Sequence, residues 1–252
     1  THIHWSIMTK FSDRIKKSAK ASPIILANDY DPKIPNIESK TLRNIKLLNN
    51  YLCGIKINFH LLLRLDKKQI SKINKTAHDH GLQCIADIKL NDIGNTNLIT
   101  AENLWNMGFD AVIVNPIMGK KSLKNLVEIS HKKNKGVISL CHMSAPEAKA
   151  SYELEIENRL KKQQLYQLFL NWAITGNVDG IIVGATYPKI ISYCKKSIHG
   201  KLSIFSPGVG TQGGSASKAK KLGSDYLIIG RTILNSKHPV QTAKDLVVDT
   251  LI

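Results

Sequence analysis

Eight short apolar segments recur along the 252-residue chain, and a longer segment with helical spacing of its apolar residues follows each of them. The apolar segments are rich in Ile and Val and mostly continuous rather than alternating, which is typical of parallel strands buried on both faces of a sheet. The predicted strands are residues 23–29, 54–59, 83–88, 111–114, 136–141, 180–184, 202–205 and 226–230. The predicted helices are residues 37–52, 68–80, 97–107, 122–132, 160–173, 187–196, 217–221 and 240–251.

Eight strand–helix units in about 250 residues predict a TIM (β/α)8 barrel in the α/β class. A doubly wound open sheet also alternates strands and helices, but its glycine-rich turn is absent after the first strand, where Asp29-Tyr30-Asp31-Pro32 stands. No linker-like stretch divides the chain. We therefore expect one domain over residues 1–252, allowing for a non-barrel N-terminal extension within residues 1–20.

The charge balance indicates an anionic partner. The chain has 36 Lys and Arg against 19 Asp and Glu, a net charge of +17. Nucleic acid, a membrane surface or an acidic small molecule would each fit that charge. The lysine doublets lie mainly on predicted helices, aromatic residues are 6% of the chain, and no nucleic-acid-binding motif is visible. A solvated surface is therefore favoured, and a basic nucleic-acid-binding protein remains the alternative from another class.

Cysteine spacing and hydropathy predict the compartment. The four cysteines form no Cys-x-x-Cys pair, and no ligand set for a metal is recognisable, so we expect reduced thiols and no metal site. No apolar run approaches the roughly 20 residues of a membrane span, and the N-terminal residues lack the apolar core of a signal peptide. These features predict a cytoplasmic protein without a membrane partner.

The sharpest motif is the Asp87-x-Lys89-x-x-Asp92 cluster after the third strand. Side chains two residues apart on a strand face the same way, so Asp87 and Lys89 are expected to lie together. A lysine ammonium between carboxylates can donate a proton to a developing carbanion. A surface ion pair would give the same pattern, but Lys56 within the second strand points into the barrel and needs a buried carboxylate partner, for which Asp87 is the natural candidate.

A second motif is the glycine-rich segment of residues 206–214 (SPGVGTQGG), followed at the next strand end by Gly230 and Arg231. Glycines let the backbone approach an anion closely, and the loops after strands seven and eight form the common phosphate site of this fold. Arg231 would add a charged contact. A flexible surface turn is the alternative interpretation of the glycines alone.

At these motifs the sequence resembles the orotidine 5′-phosphate decarboxylase family. Residues 87–96 (DIKLNDIGNT) look like the catalytic signature of the family, residues 206–214 look like its phosphate loop, and residues 184–188 (GATYP) are also similar. The likeness runs from Pro23 to about Leu234, with the motifs in the order of the family. It implies cofactor-free decarboxylation of orotidine 5′-monophosphate to UMP and CO2.

The resemblance also implies roles for individual residues. Lys89 would protonate C6, Asp87 would lie beside the departing carboxylate, and Lys56 would pair with Asp87 and contact the ribose. Asp92 and Thr96 would reach the site of the neighbouring subunit in a homodimer. The remaining implied substrate-binding residues are Asp29 for the ribose, Ser144 for the pyrimidine, and Pro207, Gly208, Val209, Gly210, Gln212, Gly213, Gly230 and Arg231 for the phosphate.

The Asp-x-Lys-x-x-Asp pattern of this sequence also resembles that of two further enzyme classes. These are a sugar-phosphate decarboxylase and a hexulose phosphate synthase, which act on an enediolate with a magnesium ion. Thr96 and the loop at Gln212 favour the nucleotide substrate over a sugar phosphate.

Overall fold

The computed structural model describes residues 10–31, 33–158 and 161–251. The strands are β1 (Ile24–Ala27), β2 (Gly54–Asn58), β3 (Gln83–Leu90), β4 (Ala111–Val114), β5 (Gly136–His142), β6 (Glu155–Asn158), β7 (Lys161–Gln164), β8 (Gly180–Val183), β9 (Ser203–Pro207) and β10 (Tyr226–Ile229). The helices are α1 (Phe11–Ser18), α2 (Ile37–Leu48), α3 (Phe59–Leu62), α4 (Lys67–Asp79), α5 (Gly94–Asn106), α6 (Lys120–Lys132), α7 (Ala148–Tyr152), α8 (Leu165–Thr175), α9 (Pro188–Ile198), α10 (Ala216–Lys221), α11 (Arg231–Leu234) and α12 (Pro239–Asp249).

Eight parallel strands close into a barrel in the order β1-β10-β9-β8-β5-β4-β3-β2. The first and last strands pair directly, with Ile25 opposite Ile228, which excludes an open doubly wound sheet. The predicted TIM barrel is therefore confirmed, and all eight predicted strands are present. No helix in the described ranges combines the length and apolar character needed to cross a membrane.

The barrel strands are buried on both faces, as their continuous apolar sequences predict. Inside the barrel, four apolar side chains from four strands form a floor beneath the carboxyl-terminal ends of the strands. These are Ile113, Leu140, Ile182 and Ile228, each at most 4% exposed. The floor lies beneath a cavity at the end of the barrel where catalytic groups collect in this fold.

Helix α1 closes the opposite end of the barrel. Phe11 is buried against β5, where a Cβ atom at Gly136 would come within 2.2 Å of its ring, so only glycine fits there. Arg14 donates hydrogen bonds of 3.0 Å to both Asp110 and Gln83 at the amino-terminal ends of the strands. The described part of the N-terminal segment is therefore a packed helix outside the eight strand–helix units.

A two-stranded antiparallel sheet of β6 and β7 interrupts the connection between β5 and α8. The predicted helix of residues 160–173 therefore begins five residues later, at Leu165, and residue 160 lies outside the described residues. Ile156 is the single apolar residue among the eight strand residues of this hairpin, which contains an ion pair of 2.6 Å between Lys162 and Glu155. Because it buries little apolar surface, it has no hydrophobic pattern from which strands could be predicted.

Candidate active site

A cavity opens at the carboxyl-terminal ends of the barrel strands. Its wall includes charged residues after β1 and on β2 and β3, together with residues of the loops after β9 and β10, as the order of the motifs predicts. The predicted residues on its wall are Asp29, Lys56, Asp87, Lys89, Ser144, Pro207, Gly208, Val209, Gln212, Gly230 and Arg231. Residues of both predicted motifs therefore lie on the wall of one cavity.

Lys56 is the centre of the charged cluster. It lies within the buried strand β2 and is only 4% exposed, so its ammonium group needs partners inside the protein. Its Nζ atom lies 2.9 Å from Oδ2 of Asp87 and 3.5 Å from Oδ1 of Asp29, and it also donates to Oδ1 of Asn58. Three acceptors match the three protons of an ammonium group. The predicted pairing of Lys56 with Asp87 is confirmed.

Lys89 binds the other oxygen of the same carboxylate, with Nζ 2.9 Å from Oδ1 of Asp87. The backbone makes this contact through an irregularity at the end of β3. Lys89 has a φ of 46°, and the pairing of β3 with β4 shifts register between Asp87 and Leu90. The side chain of Lys89 is 40% exposed, so its ammonium group reaches the open cavity while remaining fixed by Asp87.

The charge of Asp87 is stabilised by its two lysines. Burial raises the pKa of this carboxyl group, but the Coulombic attraction and hydrogen bonds of Lys56 and Lys89 outweigh burial, so its pKa lies below the usual value. Asp87 is therefore a carboxylate at neutral pH. It carries a fixed negative charge into the cavity between two ammonium groups.

The glycine-rich loop after β9 is built by short backbone contacts. Gly210 has a φ of 76°, and a Cβ atom there would come within 2.2 Å of Oγ1 of Thr232, so the loop requires glycine at this position. Thr232 also accepts a hydrogen bond from the amide of Thr211. Neither Gly210 nor Gly213 lines the cavity, because their N–H groups donate to Gly214 and Gly210 within the loop itself. These two glycines, which the sequence predicts to bind phosphate, instead stabilise the conformation of the loop.

Ser144 lies where the loop after β5 meets the glycine-rich loop. A Cβ atom at Gly184 would come within 2.9 Å of the Cβ of Ser144, and one at Gly208 within 2.8 Å of it. Both glycines therefore permit the close approach of their loops to Ser144. The cavity wall is continuous from the candidate pyrimidine residue to the candidate phosphate loop.

Asp92 and Thr96 do not line the cavity of their own chain. Both are exposed, at the start of α5, and Asn97 fixes the turn by accepting from the amide of Asp92 and donating to its carbonyl oxygen. Five large apolar side chains are also exposed in the segments after β2, β3 and β4. These are Phe59, Leu63, Ile93, Ile99 and Ile117, which are 52–73% exposed.

Sequence reasoning missed several residues of the cavity wall, of which Asn58, Thr211 and Thr232 are polar. Asn58 could have been found, because it follows Lys56 by two positions on the same strand and therefore shares its face. Asn28, the residue before Asp29, does not line the cavity. It is buried and donates a hydrogen bond of 2.7 Å to Thr41 on α2.

One group of potential metal ligands occurs among the described residues, formed by His78, Cys84 and Asp110. It lies at the closed end of the barrel, where Asp110 already binds His78 at 2.7 Å and the guanidinium group of Arg14 at 3.0 Å. The guanidinium group supplies a positive charge to this carboxylate. We therefore interpret the group as part of the anchor of α1.

Fold and cavity together define the class of protein: a (β/α)8-barrel enzyme whose cavity is lined by an ion-paired lysine cluster and a glycine-rich loop. The chain belongs to the orotidine 5′-phosphate decarboxylase / HUMPS family, whose model matches residues 22–246. The protein named orotidine 5′-phosphate decarboxylase from Pyrococcus furiosus is 33% identical over 207 residues, covering 82% of this chain and 90% of that protein.

Solved structures show the same relationship. Orotidine 5′-monophosphate decarboxylase from Methanocaldococcus jannaschii, complexed with the inhibitor BMP, matches with a TM-score of 0.76 and 26% identity, covering 91% of this chain and 99% of that one. UMP synthase from Leishmania donovani matches with a TM-score of 0.84 and 23% identity, covering 96% of this chain and 56% of that one. At 23% identity the second match demonstrates the shared fold alone.

Proposed function

We propose that this protein is a carboxy-lyase that converts orotidine 5′-monophosphate to UMP and CO2, the last step in making UMP. The observation that carries the proposal is the Lys56–Asp87–Lys89 cluster, which faces an anion cradle across one cavity. The substrate has a carboxylate at one end and a phosphate at the other, so its two anionic groups match the two sides of the cavity. The curated relatives carry the name of this activity.

The chemistry follows from the charges at the cluster. The carboxylate of Asp87, held by Lys56, stands beside the substrate carboxylate and repels it. This repulsion disappears as CO2 leaves, so it favours the transition state over the bound substrate. Breaking the bond between C6 and the carboxylate leaves an electron pair on C6. The ammonium group of Lys89 stabilises that charge and then donates its proton to C6, giving UMP without a cofactor.

The far side of the cavity supplies binding energy. Arg231 and the glycine-rich loop, with Gln212, bind the phosphate group, and Ser144 contacts the pyrimidine ring. Asp29 and Lys56 contact the ribose between them. Contacts to the non-reacting phosphate can organise the loop and hold the pyrimidine against Lys89, which is how remote binding energy contributes to a chemical step.

A homodimer would complete the site with Asp92 and Thr96 of a second subunit. Both residues are exposed at the mouth of the barrel, beside the exposed apolar side chains of the segments after β2, β3 and β4. Exposed apolar patches of this kind are typical of interfaces between subunits. In the dimer, Asp92 of one chain would face the Lys89 cluster of the other.

A cytoplasmic location is also proposed. The four cysteines are buried free thiols, which suits a reducing compartment. The positively charged surface is proposed to attract the anionic substrate rather than to recognise nucleic acid. The anionic groups of a single nucleotide are sufficient to pair with the cations that line the cavity.

The experiment that tests the function is product analysis with purified protein and competing substrates. Orotidine 5′-monophosphate is expected to yield UMP and CO2, whereas a 3-keto sugar phosphate offered with magnesium is expected to remain unchanged. Consumption of the sugar phosphate with no turnover of the nucleotide would instead establish one of the magnesium-dependent activities related to this family.

A further inference from the structure

The segment that carries Ser144 has no regular secondary structure, yet its backbone carbonyl groups are bonded one after another. It runs from the end of β5 to the start of α7. The carbonyl oxygens of Met143, Ser144 and Ala145 accept hydrogen bonds from the side chains of His142, Thr186 and Tyr187, with distances of 2.8, 2.9 and 2.8 Å. The position of this segment is therefore set by side chains rather than by a sheet or helix.

Tyr187 makes the outermost of these contacts. Its hydroxyl group donates to Ala145 and lies 3.4 Å from the carbonyl oxygen of Pro146, so one group contacts two consecutive carbonyls. Tyr187 precedes the first residue of α9, and Pro188 starts that helix. The backbone from which the tyrosine extends is thus fixed by the end of β8 and the start of α9.

The ring of Tyr187 rests on a buried histidine. Its centroid lies 4.2 Å from that of His142, whose side chain is fully buried at the end of β5. A carbonyl oxygen can only accept, so Nδ1 of His142 carries the proton that binds Met143, and the ring orientation is fixed by that bond. Nε2 lies 3.3 Å from Oε1 of Glu153, and the rings of Tyr152 and Tyr166 pack around the imidazole. His142 therefore gives Tyr187 a rigid platform.

We propose that Tyr187 is a positioning residue, whose hydroxyl group holds the loop that presents Ser144 to the pyrimidine ring. The platform of His142 fixes the ring of Tyr187, the hydroxyl fixes Ala145 and Pro146, and Ser144 immediately precedes them. Tyr187 itself is absent from the cavity wall. The inference rests on the proposed function, because it assigns the pyrimidine contact to Ser144.

The test is Tyr187→Phe, which keeps the ring on His142 and removes only the hydroxyl. UMP binding by calorimetry is expected to weaken roughly three- to tenfold, the usual effect of one hydrogen bond. The KM for orotidine 5′-monophosphate is expected to rise by a similar factor. The affinity for ribose 5-phosphate, which lacks the pyrimidine, is expected to stay unchanged. Tyr193→Phe, on the exposed side of the same helix, is the matched control and is expected to match the wild type.

A double-mutant cycle separates positioning from general stability. If Tyr187 acts through Ser144, adding Tyr187→Phe to a Ser144→Ala variant is expected to change UMP affinity by less than twofold. Equal losses in both backgrounds would overturn the proposal, as would an unchanged UMP affinity in the single variant or an equal loss for ribose 5-phosphate. A wild-type protein that binds UMP but leaves orotidine 5′-monophosphate intact would refute the proposed function, and the cycle would still decide the role of Tyr187.

Discussion

Lys89 donates a hydrogen bond of 2.9 Å to the Oδ1 atom of Asp87, the residue two positions before it on the same strand. The two side chains meet at an irregular end of β3, where Lys89 has a left-handed backbone and the pairing with β4 shifts register between Asp87 and Leu90. The lysine is therefore half-exposed to the cavity but cannot leave the carboxylate without losing an ion pair. The proposed proton donor and the proposed charge beside the leaving group are one rigid unit.

Replacing Lys89 tests the proposed proton donor. Lys89→Ala is expected to lower kcat by roughly 10²–10⁴-fold or more, because it removes the general acid at C6. UMP binding should be largely retained, since the phosphate cradle is untouched. Lys121→Ala, on the exposed face of α6, is the control in the same kinetic assay. Near-normal turnover of the Lys89 variant would remove this residue from its role.

Replacing Arg231 tests the proposed phosphate contact. Arg231→Ala is expected to weaken the binding of UMP roughly ten- to hundredfold, the usual effect of a lost charge-assisted hydrogen bond, and to leave the much weaker binding of uridine nearly unchanged. Calorimetry or competition kinetics with both ligands measures the difference. Equal losses for nucleotide and nucleoside would argue against a phosphate contact.

The lowered pKa of Asp87 predicts how the free energy of unfolding decreases at acidic pH. Its pKa is lower in the folded protein than in the unfolded chain, so its stabilising contribution is fully present above the ordinary aspartate pKa. The contribution is lost as the pH falls through the folded value. Urea unfolding between pH 3 and 7 is therefore expected to show a shallower acid limb for Asp87→Asn than for the wild type. Asp245→Asn, at an exposed position on α12, should leave the slope unchanged.

The anchor of α1 gives a prediction about stability. Asp110→Ala leaves the buried guanidinium group of Arg14 without its carboxylate and is expected to lower the free energy of unfolding by about 3–5 kcal/mol. Asp13→Ala, at an exposed position on α1, should cost less than about 1 kcal/mol. The folded Asp110 variant should keep its KM, because the anchor lies at the far end of the barrel. A raised KM without loss of stability would contradict this separation of roles.

Sharing of sites across a dimer can be tested by mixing inactive subunits. Lys89→Ala and Asp92→Ala should each be nearly inactive alone. After subunit exchange, half of the dimers would be mixed, each with one intact site, so activity should recover to about a quarter of the wild type. Sedimentation measures the assembly in parallel. Failure of a mixed dimer to recover activity would show that Asp92 acts within its own chain.

The sequence predicts the barrel and the core of the site for identifiable physical reasons. The strands of the barrel are buried on both faces, so they appear in the sequence as continuous Ile- and Val-rich segments and can be predicted from it. The partner of Lys56 could be predicted because a buried ammonium requires a carboxylate, and Asp87 is placed for it. The hairpin at Glu155 and Lys162 could not be predicted, since Ile156 is the single apolar residue of its two strands.

The glycine-rich loop shows a second limit of the sequence. The N–H group of a glycine can face a bound anion or can donate a hydrogen bond within the loop, and the sequence does not distinguish the two cases. Gly208 is on the cavity wall, whereas Gly210 and Gly213 bond within the loop. The role of Tyr187 could not be predicted from the sequence either, because its contact joins the loops that follow two different strands.

The most direct test of the whole account is the absorbance of orotidine 5′-monophosphate followed with purified protein, with and without a chelator such as EDTA. The account predicts loss of the substrate absorbance at the same rate in both samples, because the Lys56–Asp87–Lys89 cluster performs the reaction without a metal. No change in absorbance, or activity that EDTA abolishes and magnesium restores, would contradict it.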